Sequence, residues 1–387
     1  MNVQSPVTAA DRDIAAYAKV VKPSHQDLLA FAAKKSGRSV LQIQRDFQKM
    51  AKSHSRINIA EFVRHGLYDP DRYSEEERAL FISNDTHWPI AHACCDANWN
   101  AAAEDKVLAS TILSAGGVPV PESVAVIDKS TRVFPGLTKI STADDLRAFM
   151  AGYPDGGIFG KIVTGMVSFG AFRVVGADDT HITCAGNEPY YYEEFMAGSV
   201  GDNAYLLQKE LQNAGEFSQY ASALCTVRMV NLLKDDGVFC PMAVIKMPQG
   251  DNIADAYWRK GNLACEIDVD TGKILTVSRR NGFEIEYLDD HPETAGLMGL
   301  QLPHWERLRE VNARAAQIFA PLRYQSTDIA ITDNGPVVVE LNYGGGFDLP
   351  QNASSRGMLT PEVRAFFEGF GHDFDAKPKK RLGIFGR

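Results

Sequence analysis

The chain has 387 residues, 45% of them hydrophobic, and a formal net charge of −9. That length supports two or three domains with substantial cores, and the acidic balance argues against a nucleic-acid or anionic-membrane role. No apolar run approaches the ~20 residues that span a bilayer, residues 1–6 lack the regions of a secretory signal, and six cysteines in a chain this long make no disulfide framework, so a reduced, cytoplasmic protein is expected.

Residues 1–118 read as mostly helical. Apolar residues recur at helical spacing over 13–21, 26–33 and 40–50. Ser74-Glu75-Glu76-Glu77 is a capping-box signature. His87, His92, Cys94, Cys95 and Asp96 lie close together, but the spacing matches no closed zinc pattern, and a helix with buried cysteines accounts for them. A further helix over 104–114 stops at Ala115-Gly116-Gly117. After Pro119 and Pro121, strands are expected at 123–127, 158–163, 172–175, 181–185 and 205–211, with helices at 144–151, capped by Thr142, and 192–197. Longer strands follow at 226–233, 239–247, 263–269 and 273–278, the last two flanking the turn Asp270-Thr271-Gly272. An amphipathic helix over 304–319, a hairpin over 327–342 and a helix over 360–367 complete the chain. Helices with mostly antiparallel strands predict an α+β protein. The divisions expected are a helical region 1–118, subdomains 119–207 and 208–374, and a basic tail 375–387 that carries Lys377-Pro378-Lys379-Lys380-Arg381.

The hairpin is the most informative stretch. Its arms are rich in Ile, Val and Thr and join at Asp333-Asn334-Gly335. A three-residue loop pairs Thr332 with Pro336 and brings Asp328 directly opposite Glu340, with Asn342 on the same face. A two-residue loop would put Asp328 opposite Leu341 and part the acids onto opposite faces. Two adjacent carboxylates repel, and a hard divalent cation such as Mg²⁺, which takes oxygen ligands, would resolve the repulsion. Acids that simply face solvent are the plain alternative. Gly344-Gly345-Gly346 next allows a backbone to approach a ligand closely.

Other segments carry weaker signals. Lys161 ends an apolar run and precedes Thr164-Gly165-Met166-Val167-Ser168-Phe169-Gly170, a loop whose N–H groups could hold phosphate, or an ordinary hairpin with a surface lysine. Asp105-Lys106 at a helix start fits cap chemistry. Arg228, in the strand Thr226-Val227-Arg228, needs an anionic partner: Glu266, Asp268 or a phosphate.

In chain order, Lys106, Lys161 with its glycine loop, the strand Leu206 to Leu211, Arg228, and Asp328…Glu340-x-Asn342 resemble the ATP-grasp superfamily over about 104–360. The likeness is closest to its sugar-transfer-associated branch, through Thr226-Val227-Arg228, Asp268-Val269-Asp270-Thr271-Gly272 and the hairpin. The resemblance implies two α+β subdomains clamping ATP behind the helical region. It implies that Lys106 and Lys161 contact phosphates, that Gly165, Ser168 and Gly170 belong to the loop folding over them, and that Gln208, Lys209, Glu210 and Leu211 form the adenine strand. Glu216 would meet the ribose, Asp328, Glu340 and Asn342 would hold Mg²⁺, Arg228 and Lys161 would act in catalysis, and 344–351 would border the acceptor. The chain departs from the family at Ile162, where proline is common, at Gln208, often acidic, and at Ser326, an arginine in amino-acid ligases; Arg228 or Arg323 could supply that last charge.

The activity implied is ligation of a small-molecule carboxylate to an amine through an acyl phosphate, with ADP and phosphate released. A kinase acting on a hydroxyl and a degenerate ATP-binding protein are the alternatives. Residues 1–100 could shape the acceptor site or a homodimer interface.

Overall fold

The computed structural model describes residues 7–21 and 23–376. The expectations for residues 1–6 and for the basic cluster at 377–381 lie outside them. The N-terminal region is helical: α1 (Ala9–Val21), α2 (His25–Ser36), α3 (Val40–Ala51), α4 (Ile59–Arg64), α5 (Glu75–Ala79) and α6 (Asn84–Ala93). Ser24, Ser39, Asn58, Ser74 and Ser83 each accept a backbone N–H of the turn they open, which stabilises each helix by ~1 kcal/mol. Leu28, Ile43 and Phe62 close a small core between them.

The helix expected over 104–114 is broken. Asp105 is extended (φ −77°, ψ 106°) and separates α7 (Asn100–Glu104) from α8 (Lys106–Ala115). Its carboxylate accepts the N–H groups of Val107 and Leu108. Lys106 therefore stands on the first position of α8, with its N–H donated to the Val163 carbonyl at 3.0 Å.

Then come β1 (Ser123–Ile127), β2 (Thr138–Ile140), α9 (Ala143–Met150), β3 (Ile158–Ile162), β4 (Phe172–Ala177), β5 (His181–Cys184), β6 (Tyr190–Tyr191), α10 (Tyr192–Glu194), a π turn at Phe195–Val200, and β7 (Tyr205–Lys209). They form a sheet in the order β2-β1-β7-β3-β4-β5-β6, antiparallel except between β1 and β2. Tyr190 and Tyr192 pack with the core of this sheet.

The second half holds α11 (Gly215–Ser218), β8 (Thr226–Lys234), β9 (Gly237–Met247), β10 (Leu263–Ile267), β11 (Val277–Asn281), β12 (Glu284–Leu288), α12 (Trp305–Ile318), β13 (Tyr324–Thr332), β14 (Gly335–Asn342), α13 (Asp348–Ser354) and α14 (Pro361–Gly369). Its sheet, β12-β11-β10-β9-β8-β13-β14, is antiparallel throughout. One face, with Val227, Ile245, Cys265 and Ile329, packs with residues of α12 and α8. On the other face Val230, Val244 and Ala264 pack with residues of α13 and α14. Alternation places Arg228, Lys246 and Asp328 on that second face, beyond the helices.

The elements not foreseen include α4, α7, β2, β6, α11, β12 and α13. The strand expected over 273–278 forms instead at Val277–Asn281, because Lys273 and Ile274 make only isolated bridges around the Asp270-Thr271-Gly272 turn. Among the described residues, no helix is long and apolar enough to cross a membrane. The six cysteines are unpaired.

Candidate functional site

The hairpin brings Asp328 opposite Glu340, but not by the loop expected. The loop is Asp333-Asn334, with Thr332 paired to Gly335. From there the ladder runs regularly to Ile329 opposite Val338, and the register then shifts, so that Val339 is an extra residue. This bulge restores the pairing of the two acids. It also reverses the alternation: Val338 and Leu341, three apart, both enter the core, which leaves Glu340 on the other face with Asp328. The ammonium of Lys161, on β3 of the first sheet, donates to the bulge carbonyl of Val339 at 3.0 Å.

Asp328 is buried and doubly bonded by Arg228, Nε to Oδ1 at 2.8 Å and Nη2 to Oδ2 at 2.6 Å. Lys246 Nζ lies 3.1 Å from the same Oδ2. Burial alone would raise the Asp328 carboxyl, but Arg228 and Lys246 outweigh it and hold the group well below the usual range. Glu340 is held down in the same way against its own burial, chiefly by Lys106, whose Nζ stands 2.9 Å away. Burial lowers Lys161 to about 8, against the pull of Glu340 and with the push of Lys106.

The partner of Arg228 is thus Asp328, directly across the β8–β13 ladder, and neither of the acids expected. Glu266 pairs with Arg356, and Asp268 accepts the N–H groups of Asp270 and Thr271 in their turn. Ser326 is buried and donates to the Gly344 carbonyl at 2.8 Å. Arg323 pairs with the exposed Asp235 at 2.9 Å, which turns it away from the hairpin and from the role Ser326 leaves open.

One cavity between the sheets gathers most of the expected residues. Lys106, Lys161, Gly165, Ser168, Gln208, Lys209, Glu210, Leu211, Asp328 and Glu340 all line it. Phe159, Ile162 and Leu224 add apolar wall. Gln208 donates to Ser123 Oγ at 3.0 Å, Lys209 pairs with Glu122 at 2.8 Å, and Glu210 pairs with Arg173 at 3.3 Å. Lys106 Nζ also donates to the Gly165 carbonyl at 2.5 Å, tying α8 to the glycine loop.

Four expected residues stand apart from the lining. Arg228 lies behind Asp328. Gly170 is buried against α1, its N–H donated to Asp13. Glu216 is exposed on α11, because that turn buries Phe217 and docks on the hairpin tip through Gly215 N–H to Asp333 at 2.8 Å. Asn342 lies on β14 beside Ser326, and its side-chain nitrogen is buried without a hydrogen-bond partner. Turning that amide over would put an equally unpartnered oxygen there. The glycines after Asn342 leave no open approach: a side chain on Gly344 would strike Trp88, one on Gly345 Ser326, and one on Gly346 Asp348.

Lys246 and Asp255 were missed. Lys246 is buried and pairs with both Asp328 and Asp255, the latter at 3.0 Å, and Thr226 Oγ1 donates to Asp255. The signal for Lys246 was available: a lone lysine in the apolar run Ala243 to Met247 raises the same question as Arg228. Asp255, in a loop, gave none. The cluster holds four cations (Lys106, Lys161, Arg228, Lys246) and three carboxylates (Asp255, Asp328, Glu340).

The profile of a family described as sugar-transfer associated ATP-grasp matches residues 97–366. A comparison with curated proteins returned no match. Among solved structures, the chain is similar to the VanG D-Ala:D-Ser ligase from Enterococcus faecalis, with 14% identity over 70% of this chain and 64% of that one and a TM-score of 0.38. It is also similar to the ATP-grasp ligase PsnB complexed with a minimal precursor (16% identity, 77% of this chain, 70% of that one, TM-score 0.37). A third is D-alanyl-alanine synthetase A from Vibrio cholerae O1 biovar eltor (13%, 73%, 64%, TM-score 0.40). The chain thus spans 64% of the length of the VanG ligase. The profile takes in both sheets, the cavity between them and the hairpin, and the chain belongs to the sugar-transfer associated ATP-grasp family.

Proposed function

We propose that the protein is an ATP- and Mg²⁺-dependent ligase that joins a small-molecule carboxylate to an amine. The observation that carries this reading is the single cavity that collects Lys106, Lys161, the glycine loop, residues 208–211 and the Asp328–Glu340 pair. In this reading residues 119–207 and 208–374 are the two subdomains, and the adenine lies along Gln208 to Leu211 against Phe159, Ile162 and Leu224. The ribose falls to Glu210, which lines the cavity, and no longer to Glu216.

The donor set suits Mg²⁺. Asp328, Glu340 and Asn342 would hold it with oxygen, the Asn342 amide turned over so that its oxygen takes the unpartnered place now given to its nitrogen. When bound, Mg²⁺ would neutralise charge on the β- and γ-phosphates. Lys106 and Lys161 would exchange the Gly165 and Val339 carbonyls, respectively, for phosphate oxygens and stabilise charge on the γ-phosphoryl group as it passes to the carboxylate. The P–O bond to ADP breaks as the bond to the carboxylate forms. The amine then attacks the acyl carbon, loses a proton, and phosphate leaves. Arg228 is a positioning residue in this scheme: both its bonds go to Asp328, which it holds ionised and oriented. The loop 165–170 would keep water from the acyl phosphate.

Calorimetry with ATP, with and without Mg²⁺, on wild type and Glu340→Ala tests the reading. Mg²⁺-dependent binding lost in the variant is expected, followed by ADP release with a carboxylate and an amine together. A folded wild-type protein that binds no ATP would sink the proposal; a phosphorylated hydroxyl product would replace ligation by kinase chemistry.

A further inference from the structure

The glycine loop is held in place by a helix that lies outside the family match. Val167 and Ser168, neither of them glycine, both take the left-handed conformation (φ 56° each), which such residues adopt only where their surroundings impose it. Three contacts impose it here. Asp13 of α1 accepts the Gly170 N–H at 2.9 Å through Oδ2. Tyr205 OH donates to the Gly170 carbonyl at 3.1 Å. Trp258 Nε1 donates to the Val167 carbonyl at 3.3 Å. Gly170 itself is φ +67°, and a side chain there would meet Tyr205 Oη at 2.7 Å and Ala10 at 3.1 Å, so the loop seats directly on α1.

The helix and the second half of the chain grip the loop together. Arg259 Nη2 reaches the same Asp13 oxygen at 3.0 Å. Tyr17, one turn along α1, packs edge-on against Phe169 of the loop and against Trp258, each ring pair 5.5 Å between centroids. Phe169 and Trp258 are 5.9 Å apart. Asp13 and Tyr17 lie four residues apart and so share one face of α1.

We propose that α1 is a clasp that orders the nucleotide loop, with Asp13 and Tyr17 as positioning residues acting on Gly165 to Gly170. This rests on the proposed function for what the loop covers, but the clasp itself is testable without nucleotide. One carboxylate oxygen serves both the loop and Arg259, so its loss frees two elements together. The ATP site is then completed by residues 9–21, and a chain cut down to the matched region would lack a working loop.

The test uses the full chain as wild type, Asp13→Ala, Asp13→Asn and Tyr17→Ala. Amide exchange is followed by mass spectrometry on peptides covering 165–171, and binding of ATP with Mg²⁺ is measured in parallel. A charge-assisted bond of this kind predicts ~10-fold faster exchange in Asp13→Ala, confined to the loop and α1 while β8 and β13 stay as in wild type. Asp13→Asn, which keeps one acceptor, should recover part of the protection, and Tyr17→Ala should repeat the effect without touching Asp13. ATP affinity should fall ~10-fold in parallel. Loop exchange unchanged in both Asp13→Ala and Tyr17→Ala overturns the clasp. If wild type binds no ATP, the ligase reading fails alone, and the exchange data still decide the clasp.

Discussion

At the scale of residues, the site is decided by which charges neutralise which. Asp328 carries one guanidinium and one ammonium, and removing its charge strands Arg228 and leaves Lys246 to Asp255 alone. Asp328→Asn is therefore expected to destabilise the fold by ~3–5 kcal/mol, the cost of leaving buried charges without a partner, read as a lower denaturation midpoint. Glu340→Gln, half-buried and on the edge strand β14, should cost far less stability while removing Mg²⁺-dependent ATP binding. Lys161 gives a pH signature. Its folded value of about 8 lies below the 10.5 of a free lysine, so between those values the unfolded chain binds the extra proton and stability rises with pH. Denaturant melts of wild type minus Lys161→Met should show that rise between pH 8 and 10.5. ATP affinity should move the other way, falling as pH climbs past 8 and the ammonium is lost. Sequence reasoning reached Asp328 and Glu340 because they are charges set opposite each other in an apolar hairpin, and Lys106 and Lys161 only through their place in the resemblance. It could not reach Asp255, whose loop gives no periodicity, and it left Asp328 out of the partners open to Arg228 (Glu266, Asp268 or a phosphate) because strand order, not spacing, places β13 beside β8.

At the scale of elements, the bulge in β14 is the instructive case. Val337-Val338-Val339 offers three identical side chains, so nothing in the pattern marks which is extra. Counting by twos from a three-residue loop gave the right pairing of the acids for a reason the chain does not use. Deleting Val339 would regularise the strand and still leave Asp328 opposite Glu340, while taking away the carbonyl that Lys161 now meets. The deletion variant is expected to fold, with a melting temperature only a few degrees lower, and to bind ATP ~10-fold more weakly; calorimetry and a thermal melt separate the two effects. β12 was legible after all. Asn281 pairs with Glu284 across a Gly282-Phe283 turn, with Gly282 at φ 62°, and Glu284 to Tyr287 alternates acidic and apolar residues. The α13 helix was not, since Pro350 and the preceding glycines read as loop, and the turn is held by packing of Leu349 and Ala353 on the sheet.

At the scale of the whole molecule, fold class and strand content followed from periodicity, whereas the order of the two sheets and the seating of α1 on the loop are tertiary facts with no local signal. The charged cluster at the hairpin has four cations against three acids. It suits the anionic complex of Mg²⁺ with ATP better than the bare ion, so titration with Mg²⁺ alone is expected to give no binding heat at concentrations where the pair binds tightly.

The two halves of the chain meet through Lys161 on the Val339 carbonyl and Lys106 on Glu340. Under the proposed function the protein itself competes with nucleotide for both ammonium groups. Nucleotide entry would then wait for those lysines to let go, and the apparent affinity would be the intrinsic one scaled by the fraction of time they are free. Added salt, which loosens the Lys106–Glu340 pair and screens phosphate alike, would then quicken arrival and departure together.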